Sequence, residues 1–428
     1  MTQREKLDGV PSWVAGSVVY QIFPDRFRNG DPGNDPPGRR PWTARPTRTS
    51  FFGGDLRGIT DSLGHLEALG VNCLYLTPIF TSPSTHKYDT ADYLSIDPAF
   101  GDLNTFRELV NSVHARKMRI ILDGVFNHAS HRHPFFEDAR RRGPASSYWN
   151  WFSFTAPRVR TRPKPNYRHA GIYYIPTWNH ANPLVREYLL SVAEHWTREG
   201  IDGWRLDVPW YIEGEPGHDF WREFRARVRS INPNAYLVGE HWGDANAWVV
   251  GDQFDAATDY QFRDATLAFA SGRQSGPESA TEFTRLAAAY PAAARTVMLN
   301  LVGSHDTPRV ATLLRGRLPA QQAAAALSFT FPGIPLVYYG DEIGLRGGKD
   351  PDCRRPFPWD SASWNEPLWE TYQRLSLARK ASPALQTGSF RILDAGPDWL
   401  SFTRELGAEC VKILVSRVSG WSITREST

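Results

Sequence analysis

Short runs of β-branched and aromatic residues, several ending in a polar side chain, recur along this chain at near-regular intervals, and that spacing constrains the fold more than any other feature. The runs are Val18–Ile22, Cys73–Leu76, Arg119–Leu122, Gly203–Leu206, Tyr236–Val238, Val297–Leu301 and Pro335–Tyr338. Amphipathic stretches with a period near 3.6 lie between them, among them Leu103–Arg116, Pro183–Glu199 and Asp219–Arg229. Alternation of strand and helix on this scale predicts a mostly parallel sheet. From Asp207 to Glu240 is 33 residues, from Glu240 to Asp306 is 66, and from Asp306 to Tyr339 is again 33. A unit of roughly 30 residues is that of a closed eightfold barrel, and the double interval leaves room for a further strand near Phe254–Tyr260. The predicted class is therefore α/β, a (β/α)8 TIM barrel.

The interval from Asp123 to Asp207, 84 residues, exceeds one unit by about 50. An inserted subdomain is expected after the third strand, at about 128–180. Its segments YWNWFSF and RVRTRPKPNYR look irregular rather than helical. Beyond residue 385 the pattern turns short and alternating (SFRILDAG, WLSFTREL, CVKILVSRV), which reads as a β-domain over 386–428 following a barrel over 1–385. That length permits three or four strands, and the final GWSITREST does not continue the alternation, so a reduced or truncated domain is expected.

Composition excludes several classes. Hydrophobic residues make 41% and charged residues 22% of the 428, with a net charge of +3, which rules out a disordered chain. No dense basic block is present, so neither nucleic acid nor a membrane surface is an expected partner. The three cysteines are far apart and form no CxxC pair, which indicates neither a disulfide framework nor a zinc site. With no apolar core of a secretory leader in the first residues and no apolar run of 18, the expected location is cytoplasmic. Aromatic residues make 13%; flat rings with a polar handle suit sugar ligands, or simply fill a large core.

Acidic residues at strand ends often do no more than cap the next helix. Here four ends carry acid or imidazole together: Asp123 with Asn127 and His128 in LDGVFNH, Arg205 and Asp207 in GWRLDV, Glu240 in VGEHWG, and His305 with Asp306 in LVGSHDTPR. In a barrel these ends converge on one face. Arg205 and Asp207 are two apart on a strand, so they share a face, and the guanidinium is expected to keep the carboxylate ionised. Glu240, close to that charge and flanked by Trp242, is expected to hold its proton. An ionised carboxylate paired with a protonated one is the arrangement of glycoside hydrolysis. Asp306 adds a third carboxylate for the charge that develops at the anomeric centre, and His128 and His305 read as donors to sugar hydroxyls.

These four segments resemble the signature regions of the α-amylase superfamily, glycoside hydrolase family 13. The resemblance implies a retaining mechanism with Asp207 as nucleophile, Glu240 as acid/base and Asp306 as stabilising carboxylate. It places Asp123, His128, Arg205 and His305 around the reacting sugar, with His241, Arg309 and Trp210 in the same substrate-binding set. VYQIFPDRFRNGD, FFGGDLRGI, HKYDTADY, IPTWNHANP, GIPLVYYGDEIGL and DPDCRRPFPWD narrow the likeness to the neopullulanase, cyclomaltodextrinase and maltogenic amylase branch. By that similarity His86 and Tyr88 line the reacting subsite. Trp178 stands where the branch usually has MPKLN, and is expected to offer an extra stacking surface. Asn29, Asp31, Asn34, Asp35, Gly53 and Asp55 are similar to a structural calcium (Ca2+) site of the branch; taken without the likeness, such a Gly/Asn/Asp loop is a turn.

Two departures bear on function. Three and four residues past Asp207, where α-amylases show Lys-His and neopullulanases Asn-Glu, this chain has Trp210 and Tyr211. An N-terminal β-domain, through which the branch usually dimerises, is not seen ahead of Ser17, so a monomer or weak oligomer is expected, without a dimer of that kind. The activity implied is hydrolysis of mainly α-1,4 bonds in starch, maltodextrins or cyclodextrins. The alternatives are a glucanotransferase or isomerase on the same intermediate, and, outside catalysis, a carbohydrate-binding protein, which has no need of both Asp207 and Glu240.

Overall fold

The structure is a computed structural model that describes residues 9–212 and 215–427. Eight strands close into a parallel barrel: β1 (Val19–Ile22), β2 (Cys73–Leu76), β3 (Arg119–Gly124), β4 (Gly203–Leu206), β5 (Tyr236–Gly239), β6 (Ala256–Asp259), β7 (Leu299–Leu301) and β8 (Ile334–Tyr338). The ring shuts where Val19 lies opposite both Cys73 of β2 and Leu336 of β8. The strand expected between Glu240 and Asp306 is β6.

Side chains alternate across each strand, and that alternation creates the site. On the inner face of β5, Tyr236 and Val238 fill the barrel and the next inward position is Glu240; on β3, Ile121 is followed by Asp123. The lower layers are therefore apolar and the topmost layer is charged. The opposite faces bury Leu122, Trp204 and Leu237 against the surrounding helices.

Among these helices, α1 (Leu103–Ala115) buries Phe106, Leu109, Val110 and Val113 at helical spacing, and Asp102 caps it by accepting from Thr105 N–H. The helix α3 (Pro183–Arg198) starts at an Asn182 cap, and α4 spans Glu215–Ile231. Downstream, α5 (Tyr260–Ser271) is capped by Asp259 and is followed by α6 (Gly276–Ala287). The helix α7 (Leu318–Thr330) is buried nearly all round, including Ala323–Leu327, because it lies between the barrel and the C-terminal sheet.

The inserted segment is less irregular than its composition suggests: it contains the helix α2 (Pro134–Arg142) and is tied by single bridges such as His128 to Thr177 and Phe152 to Trp178. Its cohesion comes from stacked rings, Phe135 on Tyr148 and Trp149 on Phe154 among them.

Four antiparallel strands, β9 (Ser389–Gly396), β10 (Trp399–Leu406), β11 (Glu409–Ser416) and β12 (Gly420–Ser427), complete the fold. The last corrects the reading of GWSITREST, since β12 pairs along its length with β11. Its alternation is carried by only Trp421 and Ile423, which pack inward while Ser422 and Thr424 face solvent; pairing with the preceding strand, more than its own pattern, fixes it. Among the described residues no helix is long and apolar enough to cross a membrane.

Candidate active site

The charged layer at the carboxyl ends of the strands opens into a cleft of ≈ 470 Å³. Asp207, Glu240 and Asp306 all line it, together with His86, Tyr88, His128 and His305. Arg205 lies beneath, its side chain 2% exposed, and organises the floor. Its Nη1 donates to Asp123 Oδ1 at 2.8 Å and Asp207 Oδ1 at 3.0 Å, and its Nη2 lies 2.9 Å from Glu240 Oε1. Three carboxylates thus share a single guanidinium.

This sharing changes the expected protonation. Burial, and then the Glu240 charge, push the Asp207 carboxyl well above the usual carboxylate range, with Arg205 opposing. Glu240 is also raised, by burial first and against Arg205. Arg205 therefore does not hold Asp207 ionised on its own, because its charge is divided. Glu240 accepts from Val208 N–H at 3.0 Å and from Trp242 Nε1–H at 3.2 Å as well, contacts that favour its ionised form against burial, while its charge raises Asp207. Asp306 goes the other way: burial raises it, but cationic neighbours, Arg354 and Arg205 among them, outweigh burial and hold it low. Arg354 Nη2 donates to its Oδ1 at 3.1 Å.

Tyr88 is held in place by a chain of hydrogen bonds. Burial lowers His305 to about 3, so its ring is neutral. Gln21 Nε2 donates to His305 Nδ1 at 2.9 Å, which leaves the proton on Nε2, 2.6 Å from the Tyr88 hydroxyl. That hydroxyl in turn donates to Asp123 Oδ2 at 2.7 Å, beside the Tyr75 hydroxyl at 2.6 Å. The Tyr88 and His305 rings are parallel to within 2°. His86 Nδ1 accepts from Tyr88 N–H at 3.1 Å.

Several expected roles are corrected. His128 lines the cleft, but both its nitrogens are taken, Nδ1 by Asn127 and Nε2 by the Tyr88 carbonyl; lowered to about 4 by burial, it braces Tyr88 and is not a free donor to sugar. Trp178 offers no stacking surface to the cleft: it is 4% exposed, stacks on Phe152 and donates from Nε1 to the Tyr93 hydroxyl at 3.3 Å. Its bulk fills the core of the insert. Arg309 is fully buried, donating from Nε to the Cys353 carbonyl and from Nη1 to the Tyr339 carbonyl and Asp341, with its plane over Tyr338. It holds strand-end loops together beneath the site. Trp210 and His241 pack edge-to-face beside the cleft and are not among its lining. Their sequence neighbours take that place: Tyr211 and Trp242 are 39% and 45% exposed and line the opening.

Sequence reasoning missed Arg26, Thr85, Tyr174, Asp350 and Arg354, which also line the cleft. The string DPDCRRPFPWD carried a signal for two of them. Tyr174, with Ile172 and Ile175, comes from the insert and had none.

The six candidate metal ligands fall in one loop cluster. A Cβ on Gly53 would collide with Asp35 Oδ1 and Asn29 Nδ2, so glycine permits the approach. Asn29 Oδ1 and Asn34 Oδ1 are buried without a hydrogen-bond partner, as oxygens reserved for a hard cation would be. Asp55 does not share this availability: its carboxylate accepts from Gly30, Asp31 and Gly58 N–H and caps the helix Leu56–Asp61. Asp31 likewise caps Gly33, and Asp35 accepts from Asn29 and Arg39. Among the described residues no three His, Cys, Asp or Glu side chains gather as a metal site, so any cation here rests on amide oxygens beside Asp35.

Barrel, cleft and carboxylates define a glycosidase of the α-amylase family, to which the chain belongs: residues 21–371 match the family model of the alpha amylase catalytic domain. It is 47% identical over 393 residues to neopullulanase 2 of Thermoactinomyces vulgaris, covering 91% of this chain and 66% of that protein. It is 43% identical over 413 residues to a cyclomaltodextrinase of Thermoanaerobacter pseudethanolicus, covering 96% of this chain and 71% of that one; the chain thus spans about two thirds of these relatives. Among solved structures, the cyclic α-maltosyl-(1→6)-maltose hydrolase from Arthrobacter globiformis, in complex with its cyclic namesake, superposes with a TM-score of 0.93 at 43% identity, covering 95% of this chain and 92% of that one.

Proposed function

We propose that this protein is a retaining glycoside hydrolase of α-glucans, with Asp207 as nucleophile, Glu240 as acid/base and Asp306 as the carboxylate that steadies the transition state. The observation that carries this reading is the joint burial of Asp207 and Glu240 on one guanidinium in a cleft that Asp306 also lines. We assign one proton to this pair, and the first step uses it. With it on Glu240, the ionised Asp207 attacks the anomeric carbon while Glu240 protonates the departing oxygen; Glu240 then deprotonates the water that releases the glycosyl-enzyme. Asp306, held ionised by Arg354, favours positive charge at the anomeric centre. Tyr88, clamped by Asp123, His305 and His128, offers its ring to the sugar in the reacting subsite.

The substrates are mainly α-1,4-linked maltooligosaccharides and cyclodextrins. A second reading, the opening of cyclic α-maltosyl-(1→6)-maltose, is favoured by the match in fold and length with that hydrolase. Transfer to a sugar acceptor would use the exposed rings of Tyr211 and Trp242. A single chain supplies the described lining. A cytoplasmic site of action accords with the free cysteines, two of them buried, and with the intracellular maltogenic amylase of Bacillus subtilis, 43% identical over 403 residues. Calcium, held by Asn29, Asn34 and Asp35, would tie the first strand-to-helix loop without entering the chemistry.

The test is a product profile on maltotriose, β-cyclodextrin, soluble starch, pullulan and the cyclic tetrasaccharide. Short maltooligosaccharides of retained α-configuration are expected. Longer oligosaccharides from maltotriose would shift the reading to transfer, and no reaction on any of the five from a folded protein would overturn it. For calcium, chelation should lower the Tm of the native protein and not that of Asn29→Ala; an unchanged native Tm removes the metal.

A further inference from the structure

The flank of the barrel carries a second cleft, of ≈ 680 Å³, between α5 and the turn that precedes α7. Arg263, Arg273, Arg315 and Arg317 line it, with Asp264 as its acidic residue. A fifth guanidinium, that of Arg346, lies against Gly316 in the same turn. In a chain whose net charge is only +3, five arginines against one carboxylate is a strong local excess. Asp264, 75% exposed, pairs among the described residues only with Arg263. Among the described residues Arg273, Arg315, Arg317 and Arg346 have no salt bridge.

Arg263 is the buried member of this set. The Arg263 side chain is nine-tenths buried, yet its Nε has no hydrogen-bond acceptor. A buried N–H of a charged group left without a partner is costly. Its buried counter-charge is Asp341, whose Oδ1 is held by Arg309 and whose Oδ2 is likewise buried without a hydrogen-bond partner. The cleft itself presents the guanidiniums of Arg273 and Arg315, with Arg346 beside them and Arg317 fixed by the Leu314, Ala270 and Ser271 carbonyls, and guanidiniums that no carboxylate neutralises suit tetrahedral, doubly charged oxyanions. Apolar walls from Leu267, Leu313 and Leu314 confine the space, which fits a small molecule and gives no track for a polymer.

We propose that this flank cleft binds a phosphate group, carried by inorganic phosphate, pyrophosphate or a sugar phosphate, at a site separate from the glucan cleft. Residues 310–317 lie between the two, four residues beyond Asp306 at their nearest.

The test is calorimetric titration of the whole protein with phosphate, pyrophosphate and glucose 6-phosphate at constant ionic strength, with glucose and chloride as controls. Because Arg26, Arg48 and Arg354 line the active-site cleft, each titration is repeated with saturating maltose. Expected is saturable binding of one equivalent, unaffected by maltose and weakened at least tenfold in R273Q/R315N, a double variant on exposed positions; Asn is chosen at 315 because φ there is +54°. The three probes distinguish a simple oxyanion site from one that also recognises the ester's sugar. Absence of saturable binding, displacement by maltose, or equal affinity in the variant would each overturn the proposal.

Discussion

Replacing Asp207 by Asn should make the protein more stable while disabling it. Asn keeps the size of Asp and can still accept from Arg205, whose Nη1 lies 3.0 Å from Asp207 Oδ1, but it removes one of three carboxylates gathered on that guanidinium. The carboxyls of a retaining pair are about 5.5 Å apart. At an effective dielectric constant of about 20, two negative charges at that distance repel by roughly 3 kcal/mol. The native protein bears this cost at neutral pH either as repulsion or as the work of keeping a proton on the pair. Spread over an unfolding entropy of about 0.9 kcal/mol/K for 428 residues, its removal raises the Tm by about 3 °C. The sign follows from the raised Asp207 pKa: the native protein loses stability as pH rises through that folded value, and the two proteins converge below about pH 4, where the unfolded carboxyl is also protonated. Calorimetry of both proteins from pH 4 to pH 8, beside maltotriose hydrolysis, checks this. A variant no more stable than the native protein at pH 7.5 would refute the shared-proton account, and one that retained hydrolysis would refute the assignment of the nucleophile.

Glu240→Gln should lower hydrolysis of maltooligosaccharides by about 10²–10⁴ but slow the first step much less on glycosides with an acidic aryl leaving group, which needs no proton; equal losses on both would argue against an acid role. Trp178→Phe, in the packed core of the insert, should cost about 1–3 kcal/mol of stability and leave the KM for maltotriose unchanged, whereas a raised KM with unchanged Tm would restore Trp178 to the substrate. Arg309→Met, which leaves Asp341 buried without its partner, should cost about 3–5 kcal/mol, read as a fall in denaturant midpoint. A variant as stable as the native protein would mean that Arg309 has no bracing role.

The Asp207, Glu240 and Asp306 carboxylates were legible because their positions follow from local rules: strand ends recur at one spacing, and inward residues alternate. Tyr174 was not, since it enters the cleft from the insert, and Arg354 was marked only by the string around it, since it reaches Asp306 from a distant loop. His128 shows the limit in another way, its residue type suiting a sugar donor while its neighbours Asn127 and Tyr88 had already taken both nitrogens.

Periodicity and spacing in the sequence alone determined the barrel, its eight strands, the place of the insert and the carboxylate set, because each depends on neighbours near in the chain. Tertiary structure decided the rest. Trp178 and Arg309 became core and brace, Tyr211 and Trp242 displaced Trp210 and His241 at the opening, and β12 formed where its own alternation was weak. The raised pKa values of Asp207 and Glu240 belong to this second group too, since they arise from the burial of three carboxylates around Arg205, and both burial and charge are sums over residues that the chain brings together from far apart.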